Sequence, residues 1–247
     1  IKLTPVLALS PVGQDVAIVL GGLTAIGAAL ISAAQVDIKR VLSYLSSSYL
    51  GLVFIAVGAQ QVGAAYFLLL TLGVAMATIV ASAGSVLPTC ITQGLTPLGG
   101  LWSRRPVTGL SYLIGACALV GLPPLGSFWS IRTLLDGLWQ AGDFWLVGVL
   151  LATNAITAFS LMRMFGLMFL GPVQVMTARA PEPIWSVMLP MMALAAMALH
   201  TPIILHSLAL LPIGTVGFMG MLLLASSLLG GVLGVVLYVV RSHKNPE

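Results

Sequence analysis

Apolar runs of about twenty residues follow one another from Val16 to Val240, separated only by short polar or proline-containing connections. That repeat constrains the fold more than any other feature. A bilayer core of about 30 Å takes roughly 20 apolar residues per helix, and a backbone in hydrocarbon must satisfy its own hydrogen bonds. The composition points to the same solvent: 59% of residues are hydrophobic and 6% charged, against about 25% charged in soluble domains. So few polar side chains cannot coat a globule in water, which excludes a soluble enzyme, an ordinary nucleic-acid binder and a disordered chain. The net charge of +4 comes from ten Lys and Arg scattered along the chain, which form no basic patch and read as boundary markers. Cys90 and Cys117 match no metal spacing and define no disulfide framework.

Seven regions emerge, at about 16–35, 37–58, 62–87, 107–139, 144–170, 184–199 and 217–240. The third ends at Pro88, and the sixth has an irregular continuation through Pro202. The fourth is too long for one untilted span and contains Leu122-Pro123-Pro124-Leu125-Gly126-Ser127. Proline removes a backbone donor and clashes with the preceding turn, so this region is expected to be a broken helix. Carbonyls freed inside a membrane need protein or water partners, so such breaks tend to line cavities. The expected fold is all-α, a polytopic transmembrane bundle of about seven spans with a proline-broken helix. The first residues carry no initiator Met and no signal-peptide layout, so the chain reads as an interior portion of a longer polypeptide.

Every ionisable group within reach of the membrane core is a candidate, because burying a charge there is costly unless it is paired or hydrated. Asp37, within the tetrad Asp37-Ile38-Lys39-Arg40, has two readings. It either favours the positive N-terminus of the following helix in a tight interfacial loop, or takes part in coupling with Lys39. Arg132 and Asp136 share a helical face and can pair at i, i+4; they sit beside water after the break, or snorkel at an interface. Arg163 is the only charge in its run, and either faces the interior or snorkels near the end, the second being preferred. His200 and His206 are six residues apart with no accompanying Glu, which argues against metal binding. As proton acceptors near a boundary they remain candidates. The eleven Met and pairs such as Gly21-Gly22 and Gly230-Gly231 are most simply helix packing. No phosphate loop, nucleophile constellation, haem motif or quinone-ring signature is present.

The segment Gln35-Val36-Asp37-Ile38-Lys39-Arg40-Val41-Leu42-Ser43-Tyr44, followed by Leu50-Gly51, resembles the Q-x-D-I-K-R-V-L-A-Y segment of the antiporter-like subunits of respiratory and photosynthetic complex I, best the NuoL/NdhF type. Leu119 to Ser130 is similar to that family's broken-helix motif, with Pro123 and Pro124 at the break, and Arg163-Met164-Phe165 follows at the position of its Y-x-x-R-M-x-x-x-x-F pattern. The resemblance covers about 15–240 and implies the second half of an antiporter-like core over 1–170, with C-terminal transmembrane helices over 171–247. The family's first half is absent from this sequence, and its lateral helix would begin beyond Glu247.

The departures from the family carry more weight than the matches. Where the family has T-H-A-x-x-K-A, this chain reads Thr71-Leu72-Gly73-Val74-Ala75-Met76-Ala77, and where it has S-K-D-E, this chain reads Ser130-Ile131-Arg132-Thr133. Methionine takes no proton and arginine does not give one up, so the ordinary lysine relay is broken here.

The resemblance implies a proton-translocating membrane subunit of a complex I-type NAD(P)H- or ferredoxin-quinone oxidoreductase, with no redox cofactor in this chain. Its implied partners are the other membrane subunits and the lipid bilayer, with no nucleic acid. Location in a thylakoid membrane is expected, with a bacterial inner membrane as the alternative. The altered relay and the linker Arg179-Ala180-Pro181-Glu182-Pro183 lean toward the cyanobacterial carbon dioxide uptake variant, with its hydration module as a further partner. A Mrp-type cation/proton antiporter subunit and a transport-inactive scaffold are the rivals. A hydrated polar chain through Lys39, Thr71, Ser130, Arg132 and Asp136 would favour conduction, and a dry interior the scaffold. Counting spans places Lys39-Arg40 and Arg104-Arg105 on one side of the membrane.

Overall fold

Apolar sequence in hydrocarbon forms helices because only a helix pairs every backbone group within its own segment. A computed structural model shows this outcome along the chain, describing residues 1–2, 4–208, 214 and 216–244, with backbone alone for residue 6 and residues 239–244. The helices are α1 (Thr4–Leu7), α2 (Pro11–Ala34), α3 (Ile38–Gly58), α4 (Val62–Cys90), α5 (Pro106–Leu119), α6 (Gly126–Ala141), α7 (Phe144–Phe169), α8 (Trp185–Ser207) and α9 (Gly217–Lys244). Six are long and apolar enough to cross a membrane, and α5 is a shorter apolar helix. The protein is an integral membrane protein with an all-helical bundle fold.

The interruptions fall where local chemistry predicts them. Ser10 caps α2 by accepting the Gly13 amide at 3.2 Å, with Pro11 in the first turn. Asp37 caps α3 by accepting the amides of Lys39 at 2.9 Å and Arg40 at 3.2 Å. Between α5 and α6 the chain breaks at the diproline, whose Pro123–Pro124 peptide is cis. Two expectations need correction. Pro88 does not end the third span, because α4 runs on to Cys90 and closes on Ile91 in the left-handed region. The sixth region is also regular through Pro202, since α8 holds both Pro190 and Pro202 as one helix. Membrane helices tolerate proline where neighbours supply partners to the freed carbonyls.

Small residues set the tightest contacts. A Cβ added to Gly21 would lie 2.8 Å from the Gly51 carbonyl oxygen, and one on Gly51 would lie 2.6 Å from the Ala25 nitrogen. α2 and α3 therefore pack backbone against backbone. α9 packs on α7 in the same way, with Gly234 facing the Phe159 carbonyl, where a Cβ would stand 2.8 Å away. With no hydrophobic force between helices in lipid, this close approach supplies the dispersion contacts that associate them.

Candidate functional site

The polar groups of the bundle fall into two ends and a middle. At one end, the α2–α3 turn is pinned to the loop after α4: the Ile38 amide donates to the Gln93 carbonyl at 3.0 Å and the Leu95 amide to the Val36 carbonyl at 2.8 Å. Arg163 reaches this turn from α7, donating to the Gln35 carbonyl at 2.8 Å just past the end of α2, where a cation meets the negative pole of the helix. Lys39, Arg40 and Arg104 are exposed here and Asp37 is half-buried.

Arg105, also at this end, is 1% exposed. Its guanidinium donates to the Ser85 carbonyl at 3.0 Å and the Thr89 hydroxyl at 2.7 Å, in the last turns of α4. Burial pushes its pKa down from the ordinary arginine value, opposed by the nearby Cys90 sulfur and Glu182 carboxylate. Glu182, in the linker 171–184, accepts the Val107 amide at 2.7 Å and the Thr108 hydroxyl at 2.7 Å. It thereby straps the linker across the start of α5.

The opposite end holds Arg132 and Asp136, paired at 3.3 Å. The guanidinium also lies 5.6 Å from the centre of the Trp129 ring, a cation–π distance. A cleft of about 560 Å³ opens here, lined among others by Gln61, Arg132, Asp136, Gln140 and Asp143. Because Gln61 follows the C-terminus of α3 and Asp37 precedes its N-terminus, the 21 residues of α3 separate the two ends by about 31 Å. Asp37 and Lys39 therefore do not meet Arg132 and Asp136.

The middle holds no charged side chain among the described residues. Thr71 donates to the Phe67 carbonyl at 2.8 Å and Ser130 to the Gly126 carbonyl at 3.2 Å, each within its own helix. Leu72 and Met76 are buried in apolar packing. His200 is exposed on α8, with its ring nitrogen 2.8 Å from the Ala196 carbonyl. Thus Thr71 and Ser130 lie in the bundle between the polar ends, whereas His200 lies on its outer surface.

The residues that do converge on the broken helix were not singled out from the sequence. Asn154, 1% exposed on α7, donates to the hydroxyls of Ser226 at 3.0 Å and Ser227 at 2.8 Å on α9. Ser227 donates to the Val120 carbonyl at 2.7 Å, and Tyr49 on α3 donates to the Leu119 carbonyl at 2.6 Å. These carbonyls stand where α5 stops, so α3 and α9 satisfy the backbone that the diproline frees, while Asn154 of α7 holds the α9 serines. A signal existed: Asn154 is the only amide side chain in α7, a membrane-length apolar run.

The model of the NADH:quinone oxidoreductase/Mrp antiporter transmembrane family matches residues 1–157. The chain belongs to that family. Among relatives of this antiporter family, a protein of Paulinella chromatophora named NAD(P)H-quinone oxidoreductase subunit 5, organellar chromatophore 2, is 38% identical over 95% of this chain and 38% of its own length. The chloroplastic NAD(P)H-quinone oxidoreductase subunit 5 of Zygnema circumcarinatum is 33% identical over 69% of this chain, which spans 25% of that protein. Rickettsia bellii NADH-quinone oxidoreductase subunit L is 29% identical over 66% of this chain and 25% of that protein. The chain therefore covers well under half of these relatives. A chain of the Mrp complex from Dietzia sp. DQ12-45-1b superposes with a TM-score of 0.72 at 16% identity, over 90% of this chain and 49% of that one. That likeness establishes the antiporter-like fold.

Proposed function

We propose that this chain is part of a proton-translocating, antiporter-like membrane subunit of a complex I-type NAD(P)H-quinone oxidoreductase, helping to couple electron transfer to proton movement. The observation that carries the reading is its 38% identity, running over 95% of the chain, to a protein named as subunit 5 of such an oxidoreductase. Electron carriers and quinone reduction belong to other subunits of the assembly, and the chain's own partners are its other membrane subunits and lipid. Chromatophore and chloroplast relatives support a thylakoid-type membrane and plastoquinone as the assembly's acceptor; the Rickettsia relative supports a bacterial inner membrane as the alternative. The carbon dioxide uptake variant, with its hydration module, rests on Leu72, Met76 and Ile131 in place of the family's ionisable residues.

In this reading Asp37, Lys39 and Arg163 serve one polar mouth, and Arg132 and Asp136 the other. Thr71 and Ser130 lie between them, with His200 at the lipid-facing surface. One observation favours the rival scaffold reading: among the described residues, Arg105 is the only charged side chain that is buried, and it belongs to one end. The test is proton release per electron by the assembled oxidoreductase in sealed vesicles, comparing the native subunit with Arg132→Gln and Asp136→Asn. A lower ratio with quinone reduction intact supports translocation through this half; an unchanged ratio leaves the scaffold. Sodium-driven proton exchange without quinone turnover would point to the Mrp alternative.

A further inference from the structure

Two proline-containing segments meet inside the bundle, and each leaves polar groups that the other can complete. The first is the start of α6. Its N-cap position, Leu125, supplies no side-chain cap. Phe128 donates its amide to the Leu125 carbonyl, whereas the amides of Gly126 and Ser127 have no hydrogen-bond partner among the described residues. The Ser127 hydroxyl also makes no hydrogen bond among the described residues, although the residue is only 2% exposed. A buried helix N-terminus without partners is rare, because each orphan donor carries its full desolvation penalty.

The second is Pro202, which lies inside the continuous helix α8. Having no N–H, it leaves the carbonyl of Ala198 without the amide that an uninterrupted helix would supply. Ala198 is buried. The adjacent Thr201 hydroxyl donates to the Met197 carbonyl at 2.6 Å, which leaves its oxygen lone pairs free to accept.

Both sets border one cavity of about 10 Å³, lined by Thr71, Gly126, Ser127, Ala198 and Thr201 together with Val74, Ala75 and Ala118. That is the space one water needs, and a buried water needs two to four polar partners. We infer that this cavity is a binding site for a single internal water. Its oxygen accepts from the Ser127 hydroxyl or the α6 amides, and its hydrogens go to acceptors on α8 and α4, namely the Ala198 carbonyl, Thr201 or Thr71. Orphan donors on one side and orphan acceptors on the other favour a molecule that is both acceptor and donor, and the volume leaves no room for a larger one. The water joins the broken helix to α8, and it sits against Thr71 and Ala75 of α4. The site holds whether or not this half carries protons.

The test uses the full-length protein in its native membrane assembly, at a resolution that shows ordered water. A density peak within hydrogen-bond reach of Ser127 Oγ is expected. An empty cavity, or a Ser127 side chain turned to pair with its own backbone, overturns the inference. Infrared spectra in H₂¹⁸O supply a second readout. A sharp isotope-shifted O–H band is expected, lost in Gly126→Ala, whose new Cβ would stand 2.9 Å from Thr71 Cγ2 and fill the space, and weakened in Thr201→Val. Ser46→Ala, whose hydroxyl bonds only within α3, should leave it unchanged. A band that all three variants retain would refute the site. If Gly126→Ala does not assemble, Thr201→Val and the density decide.

Discussion

The phenolic hydroxyl of Tyr49 donates to the carbonyl of Leu119 at 2.6 Å, fastening the middle of α3 to the point where α5 stops. Tyr49→Phe keeps the ring and removes only this donor. Leaving a buried acceptor unsatisfied costs about 1–3 kcal/mol in soluble proteins, whereas hydrogen bonds between membrane helices average about 0.6 kcal/mol. The membrane value governs here, so a loss of about 0.6 kcal/mol is expected, read by reversible unfolding of the purified full-length protein in detergent.

Asn154 ties α7 to α9 through both Ser226 and Ser227. Asn154→Ala should loosen α9 selectively, giving faster hydrogen exchange at 217–238 with little change in α2 or α4. A double-mutant cycle with Ser227→Ala should return a coupling of about 0.6–1.7 kcal/mol. Additivity within error would show that the two side chains act independently.

The α2–α3 contact gives a matched pair of substitutions. Gly51→Ala places a Cβ 2.6 Å from backbone atoms of α2, whereas a Cβ on Gly27 meets nothing within 4 Å. The first should cost about 3 kcal/mol or more, since backbone cannot yield as a side chain does. The second should be neutral or stabilising by up to about 1 kcal/mol through helix propensity. Yield of folded full-length protein and its thermal midpoint distinguish them.

Orientation follows from charge. Lys39, Arg40, Arg104, Arg105, Arg163 and Arg179 gather at the end of the bundle that carries the α2–α3 turn and the linker, whereas Arg132 shares the other end with Asp136 and Asp143. Short loops rich in Lys and Arg stay on the cytoplasmic side, the stromal side in a thylakoid. A membrane-impermeant thiol reagent should reach Lys39→Cys from that face alone and Gln140→Cys from the opposite face alone. The reverse pattern would overturn the assignment.

Much of the fold was legible because the apolar runs are long and their boundaries chemically marked. Ser10 with Pro11, Asp37 and the diproline each act within a few residues of themselves, so the sequence shows what they do. Pro88 and Pro202 misled because proline's effect on a membrane helix depends on what its neighbours offer to the freed carbonyl. The polar middle was harder for a related reason. Tyr49 lies 70 residues from its partner Leu119, and Asn154 lies 72 from Ser226, so only the packed bundle reveals that they converge. Charge drew attention to Lys39 and Arg132, which mark the ends, while neutral residues hold the break together.

The 31 Å between those ends also has an electrical meaning. A potential of 100 mV exerts about 2.3 kcal/mol on each elementary charge that crosses it, and here the drop falls across a stretch whose buried side chains are neutral. An ion entering that stretch meets no buried counter-charge among the described residues to offset its lost hydration. The interior of this half therefore behaves as the dielectric of a capacitor, resisting passive movement of ions between its two polar ends.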